Sequence, residues 1–376
     1  MAVAHVIATE PAARALEPPT HSLNPLQVRG TSLAPNVLLA AKLLTLVFLV
    51  KGLWQLTDPY LPYIGFLGDI ASPHVFQHIL QAIWLLAAAC LFTNRYVRLS
   101  CAALGGAILV AVLSSDAFRT NNLTFSALLL ILIGLSDRKM ASAVIRAQLV
   151  VLYFWAGLNK LLDEGWRSGA FFETWNSVQG YGGAYEALVS VLPGMAVSAI
   201  ASWGVIITEL FLAVAFAIRR LVAAGILVLV VYHSAVLLVT GSTFTTFWFA
   251  LLAACLALLP WPASPPSVEY SVDARFGRIC NLLRRVDFGH SFAWEPRKGS
   301  SLRIVTEGRA FVGGDALARV LLYHPSVCAV FFVLAALPQP QDRWPALVVF
   351  AGVGYVALGL MRGMRARTSA RVRVEA

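Results

Sequence analysis

Residues 153–166 read YFWAGLNKLLDEGW. The first six, Tyr153 to Leu158, continue an apolar run, and then Asn159 and Lys160 stand side by side before any loop signal. Whether that run is the core of a soluble domain or a membrane span decides the fold. Composition decides it: 59% of the 376 residues are hydrophobic and 13% are charged, against roughly 25% charged in a soluble domain. Long apolar runs with so few charges indicate a polytopic membrane bundle.

Working outward, about 20 mostly apolar residues make a span. Eight runs qualify, near 36–56, 74–93, 98–115, 122–136, 145–161, 189–218, 221–240 and 243–260. Charge between them alternates. The loop at 57–73 holds Asp58 and Asp69 and no Lys or Arg, whereas Arg95 and Arg98, then Arg138, Lys139 and Arg146, then Arg219 and Arg220 mark every second connection. Positive residues favour the cytoplasmic side. The expectation is a multi-pass protein of the cell membrane with both termini cytoplasmic, and with the Lys160 end of span five outside. The net charge of +10 does not imply nucleic-acid binding, because the cations sit in short clusters between spans and in the tail. Residues 1–35 read as a loose cytoplasmic leader, not a signal peptide. Cys90, Cys101, Cys255, Cys280 and Cys328 form no CxxC pair and read as apolar fillers rather than a disulfide or metal framework.

After Pro260 the chain becomes polar through a Pro/Ser linker, PWPASPPSVEY (260–270). The stretch SLRIVTEGRAFVGGDALARVLLY (301–323) predicts strand, turn, strand and a helix capped by Asp315. The organisation is therefore leader 1–35, membrane domain 36–260 and a small cytoplasmic α/β module with an apolar, basic tail over 261–376. Two further apolar runs, 326–337 and 344–361, are expected to pack on the module and membrane surface or to form a re-entrant pair, since one extra span would put the Arg-rich end outside.

Ionisable groups inside spans mark function, because each costs roughly 2.5–3.5 kcal/mol at mid-bilayer unless it faces a partner or cavity. They are Lys42, Lys51, Lys160, Glu209 and His233. Lys42 and Lys51 lie toward span ends and are expected to snorkel. Lys160 alone fits an interfacial anchor equally well. Glu209, in VIITELFLAVAF, and His233, in LVLVVYHSAVLLV, lie deep in apolar sequence. An amine, a carboxylate and an imidazole on three consecutive spans offer a base, its partner and a proton carrier. His74 and His78 share a helix face but lack a third ligand nearby, so no metal is expected. Asn121 and Asn122 open span four as a cap or turn. Trp155, Trp166 and Trp175 suit an outer aromatic belt. No GxGxxG, P-loop, HExxH or nucleophile elbow occurs.

The string YFWAGLNKLLDEGWRSG (153–169), with Glu209, Arg219-Arg220 and Tyr232-His233 later, resembles the signature of the vitamin K-dependent γ-carboxylase-like (HTTM) membrane family. The resemblance is specific at 148–169, fair at 203–260 and thin in the first three spans. It implies that Lys160 is the base that deprotonates a quinol or other lipophilic substrate on the outward side, with a reduced quinone as cofactor. Glu209 and His233 would assist, and Asn121, Asn122, Asn159, Trp155 and Trp166 would contact substrate. Where the family carries Asn-Asn-His, this chain has Asn121-Asn122-Leu123. Family members also include maturation factors for secreted peptides, which makes a non-catalytic maturation factor or scaffold, with a secreted peptide or partner protein, the alternative. VEYSVDARFGRICNLLRRVD (268–287) resembles a DCC-type thiol-disulfide oxidoreductase domain that has kept only Cys280. That implies a thioredoxin-like module without dithiol exchange, which needs a second sulfur.

Overall fold

The computed structural model describes residues 24–57, 65–114, 120–179, 189–240, 245–262, 264–297 and 301–337. Most of the leader, the Asp116–Arg119 connection and the apolar run at 344–361 lie outside these residues. The chain is mostly helical. Its helices are α1 (Pro35–Val50), α2 (Phe66–Ile70), α3 (Pro73–Phe92), α4 (Val97–Ser114), α5 (Asn121–Leu135), α6 (Ala141–Leu162), α7 (Glu164–Ser168) and α8 (Ala170–Gln179). They continue as α9 (Gly194–Ala217), α10 (Val222–Thr240) and α11 (Thr245–Leu258). Four of them, α3, α4, α6 and α9, are long and apolar enough to cross a membrane. The helices α1 and α5, α10 over Val222–Val236 and α11 over Thr246–Leu258 are apolar but shorter. Each coincides with an apolar run of the sequence.

The helix starts follow from their residues. Pro35 and Pro73 occupy first-turn positions of α1 and α3, where a missing N–H costs nothing. The hydroxyl of Ser72 accepts from the Val75 N–H. On α5 the cap is Thr120, whose Oγ1 accepts from the Leu123 N–H at 3.3 Å. This corrects the expectation for Asn121 and Asn122, which stand one and two residues too far along to cap. Glycines let two helix pairs approach closely. A Cβ on Gly134 would lie 2.6 Å from the Ala102 nitrogen, joining α5 to α4, and one on Gly157 would lie 2.9 Å from Leu210 Cγ, joining α6 to α9.

Lys42 does not snorkel. Its side chain is buried, and Nζ donates to the carbonyls of Pro25 and Gln27 at 2.8 and 2.9 Å and to Asn94 Oδ1 at 2.7 Å. An ammonium has three N–H donors, and each has an oxygen. The residues before α1 thereby form a strap over one end of the bundle. Arg29 Nη1 donates to the Pro262 carbonyl at 2.9 Å, and Asn36 Nδ2 donates to the Ala257 and Leu259 carbonyls at the end of α11. The Arg29 guanidinium is held below its ordinary range by burial and by nearby Arg138, against an opposing pull from Asp287. The strap, the α5–α6 turn and the C-terminal module therefore meet at this end.

The module is a mixed sheet with α12 (Gly277–Arg285) and α13 (Gly313–Leu322). Its strands are β1 (Ser267–Tyr270), β2 (Ala293–Pro296), β3 (Arg303–Thr306) and β4 (Arg309–Val312), in the order β2-β1-β3-β4. β1 runs parallel to β2, while β3 is antiparallel to both β1 and β4. The strand–turn–strand–helix expected over 301–323 is present, but Asp315 lies in the first turn of α13 without capping it. The run at 326–337 is α14 (Pro325–Ala336), bent 69° from α13. Trp248 and Phe249 of α11 meet Phe331 and Phe332 of α14 at ring separations of 6.2 and 5.5 Å. α14 packs on α1 and α11 of the bundle, and the run at 344–361 that would form the second half of the expected pair lies outside the described residues.

Candidate functional site

The site lies at the end of the bundle opposite the strap, where α6 closes. Helix α6 stops at Leu162, and the Asp163 carboxylate accepts from the Trp166 N–H at 3.1 Å to start α7. That sharp restart folds the Trp166 ring back over Lys160, whose Nζ lies 5.1 Å from the ring centroid. α7 then ends at Gly169, with φ +85, directly on the α9 backbone. A side chain there would meet the Ala199 nitrogen at 2.4 Å. Ser198 Oγ of α9 donates to Glu173 Oε2 of α8 at 2.7 Å. These contacts hold a cluster of rings, with Trp166 stacked on Phe171 at 4.3 Å and Phe172 and Trp175 beside them.

Beneath that cluster, Lys160 Nζ donates to both oxygens of Glu209, at 2.9 and 2.7 Å. The close approach at Gly157, one turn back from Lys160 and facing Leu210, brings α6 near enough to α9 for this pair. Tyr232 Oη of α10 donates to Glu209 Oε1 at 3.3 Å. The lysine side chain is 20% exposed and the glutamate 8%. Approach is therefore from the amine side, with the carboxylate behind it. Both groups are largely shielded from solvent beside the Trp166 and Tyr232 rings, where charges interact more strongly than in bulk water.

His233 is buried but bonds neither of them. Its Nε2 lies 2.7 Å from Tyr153 Oη. Tyr153 stacks on Phe216, and the imidazole meets Phe247 edge-on at 5.5 Å. Among the described residues no hydrogen bond joins this pair to Lys160–Glu209, although Tyr232 and His233 are adjacent and their rings are 4.7 Å apart.

Of the residues singled out in the sequence, Lys160, Glu209 and Trp166 come together and His233 lies one layer deeper. Asn159 and Trp155 are exposed on α6, with Trp155 against Phe154. Asn121 is exposed and Asn122 half-buried at the start of α5, and neither side chain hydrogen-bonds to Lys160 or Glu209. Leu123 is 7% exposed and packs in the core. Sequence reasoning quoted Tyr153 and Tyr232 but gave neither a role. The signal was available, since each is a tyrosine within an apolar run and a buried hydroxyl needs a partner. His74 and His78 bond to each other, Nε2 to Nε2 at 3.2 Å, and among the described residues no group of three or more His, Cys, Asp or Glu side chains converges. In the module, Cys280 is fully buried, and burial pushes its thiol up to about 11. It therefore stays protonated and unreactive at neutral pH. No protein-family model matches the chain, and no curated protein or solved structure matches it either.

Proposed function

We propose that this chain is an integral membrane enzyme of the γ-carboxylase-like (HTTM) kind, acting on a quinol-like or other lipophilic substrate with Lys160 as base. The bidentate contact between Lys160 and Glu209 beneath Trp166 is the observation that carries this reading. An ammonium cannot accept a proton. A proton passed from Lys160 to Glu209 leaves a neutral amine and a neutral carboxyl, a form that gains ground as water leaves the site because burying two charges is costly. The neutral amine then takes the proton of a substrate hydroxyl, and Tyr232 holds the carboxyl in place. The exposed flank of Lys160, with Trp166 above it, suits a flat, apolar substrate such as a reduced quinone.

In this reading the eight apolar helices all span, both termini are cytoplasmic and Lys160 faces outward. The strand order of the module supports a thioredoxin-like assignment, with Cys280 as a core residue. The test is oxidation of a soluble reduced naphthoquinone by purified protein in detergent, followed by oxygen uptake. Lys160→Ala is expected to lower turnover about 10²–10⁴-fold without loss of the folded protein. Undiminished turnover in that variant removes the mechanism.

The second reading is a maturation factor or scaffold for a secreted peptide or partner protein. It is favoured by Leu123, packed in the core where the family motif carries a histidine. Wild-type protein that neither oxidises the quinol nor binds it would favour this reading.

A further inference from the structure

The strap end of the bundle carries a second feature that the Lys160 site does not use. Arg146 lies in the second turn of α6, and at 1.5 Å per residue its Cα is roughly 8 Å along the helix from Ala141. It borders an open groove of about 280 Å³ between α6 and the last turn of α9. The groove exists because Ala143, Ala147 and Ala217 leave a furrow where larger side chains would fill it, and Val151 and Phe216 continue its apolar wall. Val151 is 56% exposed, so this wall looks outward from the bundle.

The cations nearby have different fates. Arg29 is tied to the Pro262 carbonyl, and Arg98 to the Gly134 and Leu135 carbonyls. Arg146 has no hydrogen bond or ion pair among the described residues. Arg138 and Lys139 precede α6, and Arg219 and Arg220 follow α9, so all stand at the same end. The acid in these two turns, Asp137, already accepts from the backbone N–H groups of Lys139 and Met140. The groove thus joins an uncompensated guanidinium to an apolar furrow, beside the cationic turns at this end of α6 and α9.

We propose that this groove is a binding site for an anionic phospholipid, with Arg146 on the phosphate and one acyl chain along the α6–α9 furrow. The guanidinium fork matches two phosphate oxygens, and the flanking cations attract the anionic leaflet. A soluble phosphate would use the cation but not the furrow, and a zwitterionic lipid would use the furrow with less help from the surrounding charge. The proposal rests on the bundle being membrane-embedded, and it is independent of chemistry at Lys160, which lies at the other end.

The experiment has two stages. Membranes holding the full chain are first washed with alkaline carbonate. Release of the protein would overturn the membrane reading itself, and this site with it. Retained protein is then purified in detergent, and its binding of phosphatidylglycerol, phosphatidylcholine and glycerol 3-phosphate is measured by native mass spectrometry and melting temperature. Wild type is expected to prefer phosphatidylglycerol. Arg146→Ala, which removes the fork, and Ala147→Trp, which fills the exposed furrow, are each expected to weaken that binding about tenfold, or about 1.4 kcal/mol. Lys160→Ala is expected to leave it unchanged. Equal binding of phosphatidylcholine, equal binding of glycerol 3-phosphate, or unaltered binding in both groove variants would each overturn the lipid site while leaving the membrane reading in place.

Discussion

Two lysines stand inside this bundle, and their surroundings differ in kind. Lys42 is surrounded by neutral oxygens, two backbone carbonyls and one amide, one for each of its N–H groups. Nothing there can take its proton, and its side chain is enclosed. Lys160 faces a carboxylate, keeps one flank exposed and lies under an indole. Its partner is a proton acceptor. The difference teaches what separates a fastener from a candidate base. Both lysines lie inside the bundle, and exposure together with the chemistry of the partner distinguishes them.

The comparison can be broken at either lysine. The largest expected effect is on folding, at Lys42. Lys42→Met takes the donor from three oxygens, the buried Asn94 Oδ1 and the part-buried carbonyls of Pro25 and Gln27, at roughly 1–3 kcal/mol for a buried unsatisfied group and less for a part-buried one. A total loss of about 3 kcal/mol or more should appear as a large fall in melting temperature in detergent, with quinol turnover per folded molecule unchanged. A variant as stable as wild type would show that the tripod does not fasten the strap.

At Lys160 the effect should divide differently. Glu209→Gln strands the ammonium, and because that side chain is partly exposed the cost should be about 2 kcal/mol, below that of breaking a fully buried pair. Turnover should fall with it, because the acceptor is gone. Normal turnover in Glu209→Gln would return Glu209 to a structural role.

Gly157→Ala tests the spacing between α6 and α9. A Cβ 2.9 Å from Leu210 Cγ forces the helices apart, at about 1–3 kcal/mol. Turnover should drop while the Lys42 end, far along the bundle, is unaffected. Preserved turnover would mean that the pair tolerates a wider gap.

The smallest effect lies outside the bundle, at His324. Like Lys42, it is buried against neutral partners. Its Nε2–H donates to the Leu283 carbonyl at 3.0 Å, and Nδ1 accepts from the Val327 N–H at 3.4 Å. Burial lowers its proton affinity below the ordinary value of 6.5. The unfolded chain therefore takes up the proton first as pH falls, so the contribution of His324 is present above about pH 6.5 and is lost on acidification. Thermal scans between pH 7.5 and pH 5 should show stability falling, with a shallower slope in His324→Gln. Parallel slopes would count against it.

Much of this was legible in the sequence, for identifiable reasons. Apolar length and Pro/Ser punctuation located the helices to within a few residues, because backbone groups in an apolar setting must pair within their own helix. Lys160 and Glu209 stood out because an ionisable group in such a run needs a partner. Lys42 was misread because its three acceptors come from the strap and the α3–α4 turn, and a carbonyl oxygen leaves no mark in a sequence. Tyr153 and Tyr232 were given no role because a tyrosine in an apolar run looks like any other aromatic. His233 was read as a proton carrier beside Lys160 and Glu209, and its hydrogen bond is to Tyr153. Hydropathy gives its depth along a span but not the rotation that turns it toward Tyr153.

The strap has a consequence for the order in which the molecule is made. Asn24 Nδ2 donates to the Phe288 carbonyl, and Arg29 reaches Pro262 across 233 residues of chain. The strap leaves the ribosome before any helix of the bundle, yet these partners are among the later segments synthesised. Until then Lys42 has one acceptor group of its tripod from the α3–α4 turn and two from an unanchored strap. Closure of this end of the bundle therefore waits for the module, so a chain arrested before residue 262 cannot make the Arg29 contact and leaves its strap without that anchor.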